Sequence, residues 1–349
     1  MYQDTLAVSQ DLLFQINSVG FVHLRHSVCQ RMLRKAMTFS RNYSFKNRLL
    51  SKIKTLKSRP ERMKRLQGNV YLLTFKNHPP LILKGFTSRE KWYRQQVLTF
   101  LLKQIGFDRT YSMYSEPEPF RLDGMWYSFI EFLPPSANKF NFANESNRIE
   151  GAQLLEAFHN SADQISLPSL PVYNQLNKWR DRLALFRQNA SYIREHIPES
   201  ILEEWIAWAE WSLKGLETYQ KEIDQEADTI IHGDCAHHNF LRKEDGTLAL
   251  IDFDLIAKAP RMIDYLQYAN RILPHLDDPS KEVWKYPQIA AYKKNPAFLY
   301  ALAYPSDIFR EWNLLFKTRF RLDHVWKITV EDFEKRMELN KQLAQLVSK

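Results

Sequence analysis

The sequence predicts an α+β fold in two lobes, a small strand-rich one followed by a larger, mainly helical one. Three observations carry this. Strand-like runs cluster between residues 68 and 132 around one helix. The Pro134-Pro135 pair then interrupts the chain. Beyond it, apolar residues recur at helical spacing over long segments. The expected division is a basic, mostly helical extension over 1–65, the β-rich lobe over 66–133 and the helical lobe over 134–349.

Each element has a local reason. Residues 1–65 show loosely helical apolar spacing and end near Ser58-Arg59-Pro60. Gly68 to Phe75 looks like a strand, the turn residues Lys76 to Pro80 follow, and Leu81 to Phe86 looks like a second strand. Ser88 is placed to cap a helix over Arg89 to Ile105, with Trp92, Val97, Phe100, Leu101 and Ile105 as its apolar positions and Gly106 as its stop. Short strands are expected at Tyr111 to Ser115 and Trp126 to Phe132. After the proline pair, helices are expected at Glu145 to His159, with Ile149, Leu154, Leu155 and Phe158 inward, at Tyr173 to Ile197, and at Leu202 to Glu222. Trp205, Trp208 and Trp211 in the last of these read as core, since a stripe at helical spacing packs more often than it binds. Residues 229–256 break into short strands, and helices resume from Met262.

Composition narrows the class. Apolar and charged fractions of 44% and 26% are those of a globular protein, and 13% aromatics argues against disorder. Two cysteines, Cys29 and Cys235, make no disulfide framework. With no basic leader and no apolar run near eighteen residues, the expectation is a cytoplasmic protein without a membrane span. The net charge of +9 is local in origin. Residues 31–66 hold thirteen Lys or Arg against one acid, Glu61, which leaves the rest of the chain net acidic. That stretch reads either as a solvated helix pair or as a contact for an anionic partner surface. Its aromatics are sparse and it has no nucleic-acid motif, which points away from nucleic acid.

The chemistry concentrates in two runs, His232-Gly233-Asp234-Cys235-Ala236-His237-His238-Asn239-Phe240 and Ile251-Asp252-Phe253-Asp254. An acid is followed five residues on by a carboxamide and thirteen beyond that by a second acid. Phosphoryl transfer from a nucleotide needs groups in this order: a carboxylate to orient a hydroxyl, then oxygen ligands for magnesium. Asp234 is the candidate acceptor of the hydroxyl proton, on a loop that Gly233 lets turn sharply. Asn239 and Asp252 are candidate metal ligands, with Asp254 as an alternate. Asp252 closes an apolar strand, where a carboxylate is costly unless paired or metal-bound. Taken singly these are a turn aspartate, a loop asparagine and a strand-end acid; their joint spacing favours the functional reading. His232, Asp234, Cys235, His237 and His238 could in principle bind zinc, but no familiar zinc signature is present.

The string H-G-D-x-x-x-x-N followed by I-D-F-D resembles the aminoglycoside phosphotransferase and choline kinase superfamily, whose fold is protein-kinase-like. The resemblance runs over roughly residues 66–320. It implies ATP or another nucleoside triphosphate and Mg²⁺ as cofactors, and a hydroxyl of a small molecule as acceptor. Gly68 to Tyr71 looks like the nucleotide-covering loop, Lys84 like the strand lysine on the phosphates, and Ile130 to Leu133, with Glu131 and Leu133, like the adenine hinge. His232 and Asp234 fall in the catalytic loop, Asn239 and Asp252 at the metal positions, and Asp264 at the aspartate that braces the loop. Leu154 to His159 is similar to the family's helix ending in Leu-His. Within the superfamily, the run Leu299 to Pro305 and the Asp-Phe-Asp motif are most similar to spore-coat-associated kinase-like proteins of endospore formers (CotS-like). That likeness implies coat proteins as partners and incorporation into the spore coat.

Three departures matter. Gln95 stands where the lysine's glutamate partner is expected, with Glu90 as a possible substitute. The nucleotide loop has a single glycine. Cys235 and His237 replace residues that are small or proline in many relatives. The departures leave two readings open, an ATP/Mg-dependent phosphotransferase and a weak or inactive kinase-like structural protein.

Overall fold

The computed structural model describes residues 45–54, 59–167, 169–219, 228–318 and 322–348. The expected helicity of residues 1–44, and half of the basic 31–66 stretch, lie outside these residues. The chain divides into two compact units, one of residues 1–64 and 73–79, the other of residues 65–72 and 80–349. In the smaller unit a helix covers residues 45–54.

One sheet has the order β1-β2-β3-β5-β4, with β1 Arg62–Gln67, β2 Val70–Thr74, β3 Leu81–Phe86, β4 Phe120–Leu122 and β5 Met125–Glu131. Strand β1 is a correction, because its basic residues were assigned to a helical extension. Alternation is absent there: one side chain is half-buried and the others are exposed. Strand β5 lies antiparallel between β3 and β4, and the β3 register sets Lys84 opposite Ser128. The strand expected at Tyr111 to Ser115 reduces to a single bridge, Met113 to Ile130.

Helix α1, Arg89–Gln104, packs on this sheet. Ser88 caps it, its side chain accepting from Lys91 N at 3.1 Å. The buried face is Trp92, Gln95, Leu98, Thr99 and Leu102, whereas Phe100 and Ile105 are exposed. The expected apolar face was therefore rotated from the real one. Hydrophobic spacing could not show that a glutamine belongs inside.

The helical lobe starts with α2, Glu145–Ala162, in which Ile149 proves exposed. Next come α3, Gln175–Gln188, and α4, Glu199–Thr218. The helix expected over Tyr173 to Ile197 starts at Gln175 and is interrupted at Asn189, after which a short helix covers Ala190–Arg194; the buried Asn189 side chain donates to Asn313 Oδ1 at 2.8 Å. Trp205 and Trp208 are core, as the spacing suggests. Two antiparallel strand pairs follow. Strand β6, Asp228–Ile231, pairs with β9, Ala257–Pro260, and β7, Phe240–Arg242, pairs with β8, Leu248–Leu250. The remaining helices include α5 Met262–Ile272, α6 Pro296–Ala303, α7 Ser306–Thr318 and α8 Phe333–Val347. The Leu299 to Pro305 run is almost wholly buried in and after α6, so packing accounts for its apolar character. Among the described residues no helix is long and apolar enough to cross a membrane.

Candidate functional site

The β7–β8 hairpin brings the two motifs together. Phe240 pairs with Leu250, so Asn239 stands opposite Ile251, and Ile251 N donates to Asn239 O at 2.9 Å. Asp252, one residue on, is thereby fixed beside Asn239. Its φ is +68°, a left-handed conformation that costs a non-glycine residue about 1 kcal/mol or more. Asn239 Nδ2 donates to Asp234 O at 2.9 Å, which ties the amide to the loop carrying the candidate base. Its Oδ1 is buried and has no hydrogen-bond partner. A buried lone oxygen next to a carboxylate suits a magnesium ion, which takes one or two protein oxygens and completes its shell with phosphate and water.

Asp264 builds the loop from below. It sits in the first turn of α5, fully buried, and accepts from His232 N at 2.7 Å, Gly233 N at 2.9 Å and His159 Nε2 at 3.0 Å. Burial alone would raise this carboxyl, but the hydrogen bonds and neighbouring imidazoles outweigh it and hold Asp264 below the usual carboxylate range. Gly233 has φ +78°, and a Cβ there would lie 2.3 Å from Leu255 O, so only glycine permits the turn. His232 is fully buried, with Nε2 3.0 Å from Ile251 O. It links the two motif strands and does not face an open site. Asp234 is one-third exposed, and its carboxylate lies 3.6 Å from Arg271 on α5.

Lys84 is buried on β3 and reaches the second motif. Its Nζ lies 2.6 Å from Asp252 Oδ1, 2.7 Å from Asp254 Oδ1 and 3.4 Å from Gln95 Oε1. Burial works against the ammonium, but Tyr111 and the two aspartates together raise its pKa. Gln95, 1% exposed, spans the network, its Nε2 donating to Asp254 Oδ1 at 2.7 Å. Glu90 does not substitute, because it pairs with Arg94 on its own helix.

A cavity of about 290 Å³ opens beside these groups. Val70, Ile82, Leu133, Leu241 and Ile251 give it apolar walls, and Lys84, Asn239 and Asp252 bring polar groups to it. A flat base beside a phosphate-binding cluster needs this combination. A larger cavity, about 510 Å³, lies along α3 and α5 and holds none of the motif residues.

The phosphotransferase enzyme family (APH) matches residues 117–301. The chain belongs to this family. Among solved structures, its fold is similar to the aminoglycoside phosphotransferase from Alicyclobacillus acidocaldarius, at 17% identity and TM-score 0.64, covering 85% of this chain and 95% of that one. It is also similar to a spectinomycin phosphotransferase solved with ADP and spectinomycin, at 14% identity and TM-score 0.52, covering 86% and 98%. A third similar structure is the GDP and kanamycin complex of an APH(2") enzyme, at 16% identity and TM-score 0.54, covering 82% and 97%. These likenesses establish the protein-kinase-like fold. No curated protein matches the chain in sequence.

In this family member the structure brings together Lys84, Asp252 and Asn239, with Asp234 tied to Asn239 through the loop. Glu131 and Leu133 line the cavity. The Glu131 carboxylate is otherwise engaged, accepting from Ser112 N at 2.7 Å and Lys103 Nζ at 3.1 Å. Burial would raise it, and these bonds lower it instead. Gly68 turns the chain between β1 and β2 at φ +50°; Leu66, Gln67 and Val70 line the cavity in its place. The zinc alternative has no geometric support. Among the described residues no group of three or more His, Cys, Asp or Glu is arranged around a common point, and Cys235 Sγ is buried against Asp264 O at 3.5 Å. Sequence reasoning missed Tyr111 and Arg271. Arg271 stands seven residues after Asp264, two turns along the same helix, and that spacing was the one available signal.

Proposed function

We propose that this protein transfers the γ-phosphate of ATP, or of another nucleoside triphosphate, to a hydroxyl of a small molecule with Mg²⁺. The observation that supports the reading best is the cluster in which buried Lys84 and Gln95 meet the partly exposed carboxylates of Asp252 and Asp254 beside Asn239, whose Oδ1 lacks a protein partner. Asn239 and Asp252 are the residues to hold Mg²⁺, which when bound neutralises phosphate charge as it develops. Lys84 orients phosphate oxygens. The apolar cavity holds the base, with Glu131 and Leu133 at its hinge and Gly68 shaping the covering turn. Asp234 accepts the acceptor's proton and fixes the attacking oxygen. His232 acts through the backbone of Ile251 as a positioning residue.

Mg-ATP should raise the melting temperature, because a ligand of the native state always stabilises it. Asp252→Ala should abolish that rise. Asp234→Asn should keep it while lowering acceptor-dependent ADP release by about 100-fold or more. A protein indifferent to millimolar nucleotide would be a kinase-like structural protein instead.

We place the activity in an endospore-coat context on the strength of the CotS-like sequence resemblance, with the basic 31–66 stretch as the contact for coat proteins or another anionic surface. Recovery of the protein in coat extracts of a spore former tests this.

A further inference from the structure

The second motif brings two carboxylates to one lysine. Lys84 Nζ lies 2.6 Å from Asp252 Oδ1 and 2.7 Å from Asp254 Oδ1. Among the described residues no other carboxylate is in ion-pair contact with it. Helix α1 sends none, since Gln95 stands at the expected position and Glu90 pairs with Arg94. A nucleotide site of this kind has two separate needs: one carboxylate to hold the strand lysine toward the phosphates, and one for Mg²⁺.

Exposure does not tell the two acids apart, because their side chains are 44% and 45% exposed. Their surroundings do. Asp252 lines the apolar-walled cavity together with Lys84 and Asn239, whose Oδ1 is buried without a partner. Asp254 does not line it. That residue borders a second cavity, of about 410 Å³, with Gln95, Lys91 and Arg94, and the two cavities share no lining residue. Phe253, which separates the acids, is fully buried, its ring 5.9 Å from that of Tyr111 and 5.7 Å from that of Phe158. Helix α1 also grips Asp254. Gln95, 1% exposed, donates from Nε2 to Asp254 Oδ1 at 2.7 Å, and its Oε1 accepts from Lys84 Nζ at 3.4 Å. One Asp254 oxygen thus serves both the lysine and the amide that the lysine touches.

Building on the phosphotransferase reading, we propose that Asp254 is the positioning carboxylate of Lys84, in the role that a glutamate on α1 is expected to fill, and is not a magnesium ligand. The ion belongs to Asp252 and Asn239. An ammonium carries three donors. Asp254 and Gln95 engage two of them and fix the direction of the side chain. The third, now on Asp252, is left for a phosphate oxygen. The charge partner of the lysine has moved from α1 to the second motif, and a glutamine joins the two.

The test is thermal shift of the full chain over a series of ATP concentrations, repeated from no added Mg²⁺ to saturating Mg²⁺. Each protein is referred to its own melting temperature without nucleotide. Asp254→Asn keeps the shape and an acceptor for Gln95 but removes the charge. It should weaken ATP binding about tenfold at every Mg²⁺ concentration, as the loss of a charge-assisted hydrogen bond implies, and leave the half-saturating Mg²⁺ concentration of the parent unchanged. Gln95→Glu combined with Asp254→Asn returns a carboxylate to α1 and should restore most of the ATP affinity, which no change on α1 would do for a lost metal ligand. An Asp254→Asn protein that binds ATP like the parent, or that needs more Mg²⁺ for half-saturation, overturns the proposal. So does a double variant as weak as the single one. If Asp254→Asn does not fold, the double variant, which carries the same asparagine, decides by the same two readings. The response of the parent to Mg-ATP reports separately on the phosphotransferase reading; where it is present, these outcomes bear on Asp254 alone.

Discussion

At the scale of single residues, the unusual group is Gln95. A glutamate there would satisfy Lys84 but would point its second oxygen at Asp254 Oδ1, where Gln95 now donates at 2.7 Å. The amide accepts on one side and donates on the other, so it can hold a lysine and a carboxylate together; a carboxylate cannot. Gln95 therefore suits an Asp254 carboxylate that meets both Lys84 and the amide. Gln95→Glu, although it restores the residue expected in the family, should destabilise the protein by about 1 kcal/mol, since it exchanges a part-buried hydrogen bond for two facing carboxylates. It should also weaken Mg-ATP binding. The double variant Gln95→Glu with Asp254→Asn restores one donor and one acceptor and should recover most of both losses. If the single variant binds Mg-ATP as well as the parent, the bridging role of Gln95 is wrong. The two ends of this network were unequally legible in the sequence. Asp234, Asn239 and Asp252 stand at fixed separations that chemistry explains, so the chain reads them out directly. Gln95, Tyr111 and Arg271 meet the site from other elements, and no spacing along the chain encodes a contact made across the fold.

At the scale of elements, the helical lobe depends on close approach as much as on apolar area. Helix α4 lies against α6 through Gly215, where a Cβ would fall 2.1 Å from the Tyr300 ring, while Ser212 Oγ donates to Tyr300 O on the same face. Two effects oppose each other in Gly215→Ala. Helix propensity favours alanine by about 1 kcal/mol. Overpacking against the ring atoms nearest the Tyr300 backbone costs about 1–3 kcal/mol and should win. Denaturant unfolding is expected to show a net loss of about 1 kcal/mol, and a gain would mean that the α4–α6 contact is looser than the structure has it. The existence of the helices was readable from apolar period, and at α1 from its cap: Ser88 accepts from the backbone N–H three residues on, as do Asn144 and Asn174, which the sequence reading did not single out. Two strands were less legible. Phe120–Leu122 is too short to alternate, and Arg62–Gln67 is strongly basic, so sheet pairing and not composition makes them strands.

At the scale of the whole molecule, one buried carboxylate ties together several elements of the helical lobe. Asp264 on α5 holds His159 of α2 and the backbone of the loop that leaves β6, so its ionisation state bears on the stability of the lobe and on the position of Asp234. Its pKa is lowered in the folded protein. Its stabilising interactions are thus fully present above the ordinary aspartate value of about 3.9 and are lost as pH falls through the lower folded value. Asp264→Asn should cost about 3 kcal/mol near neutral pH, because one amide oxygen cannot serve three donors and the amide hydrogens meet an N–H instead. The gap between parent and variant should then close in acid, starting below about pH 4, as protonation takes from the parent what the substitution took from the variant. Urea midpoints measured for both proteins from pH 7 to pH 3 would show convergence. Parallel curves over that range would mean that the loop is held by its packing, and that the Asp264 charge contributes little to the fold.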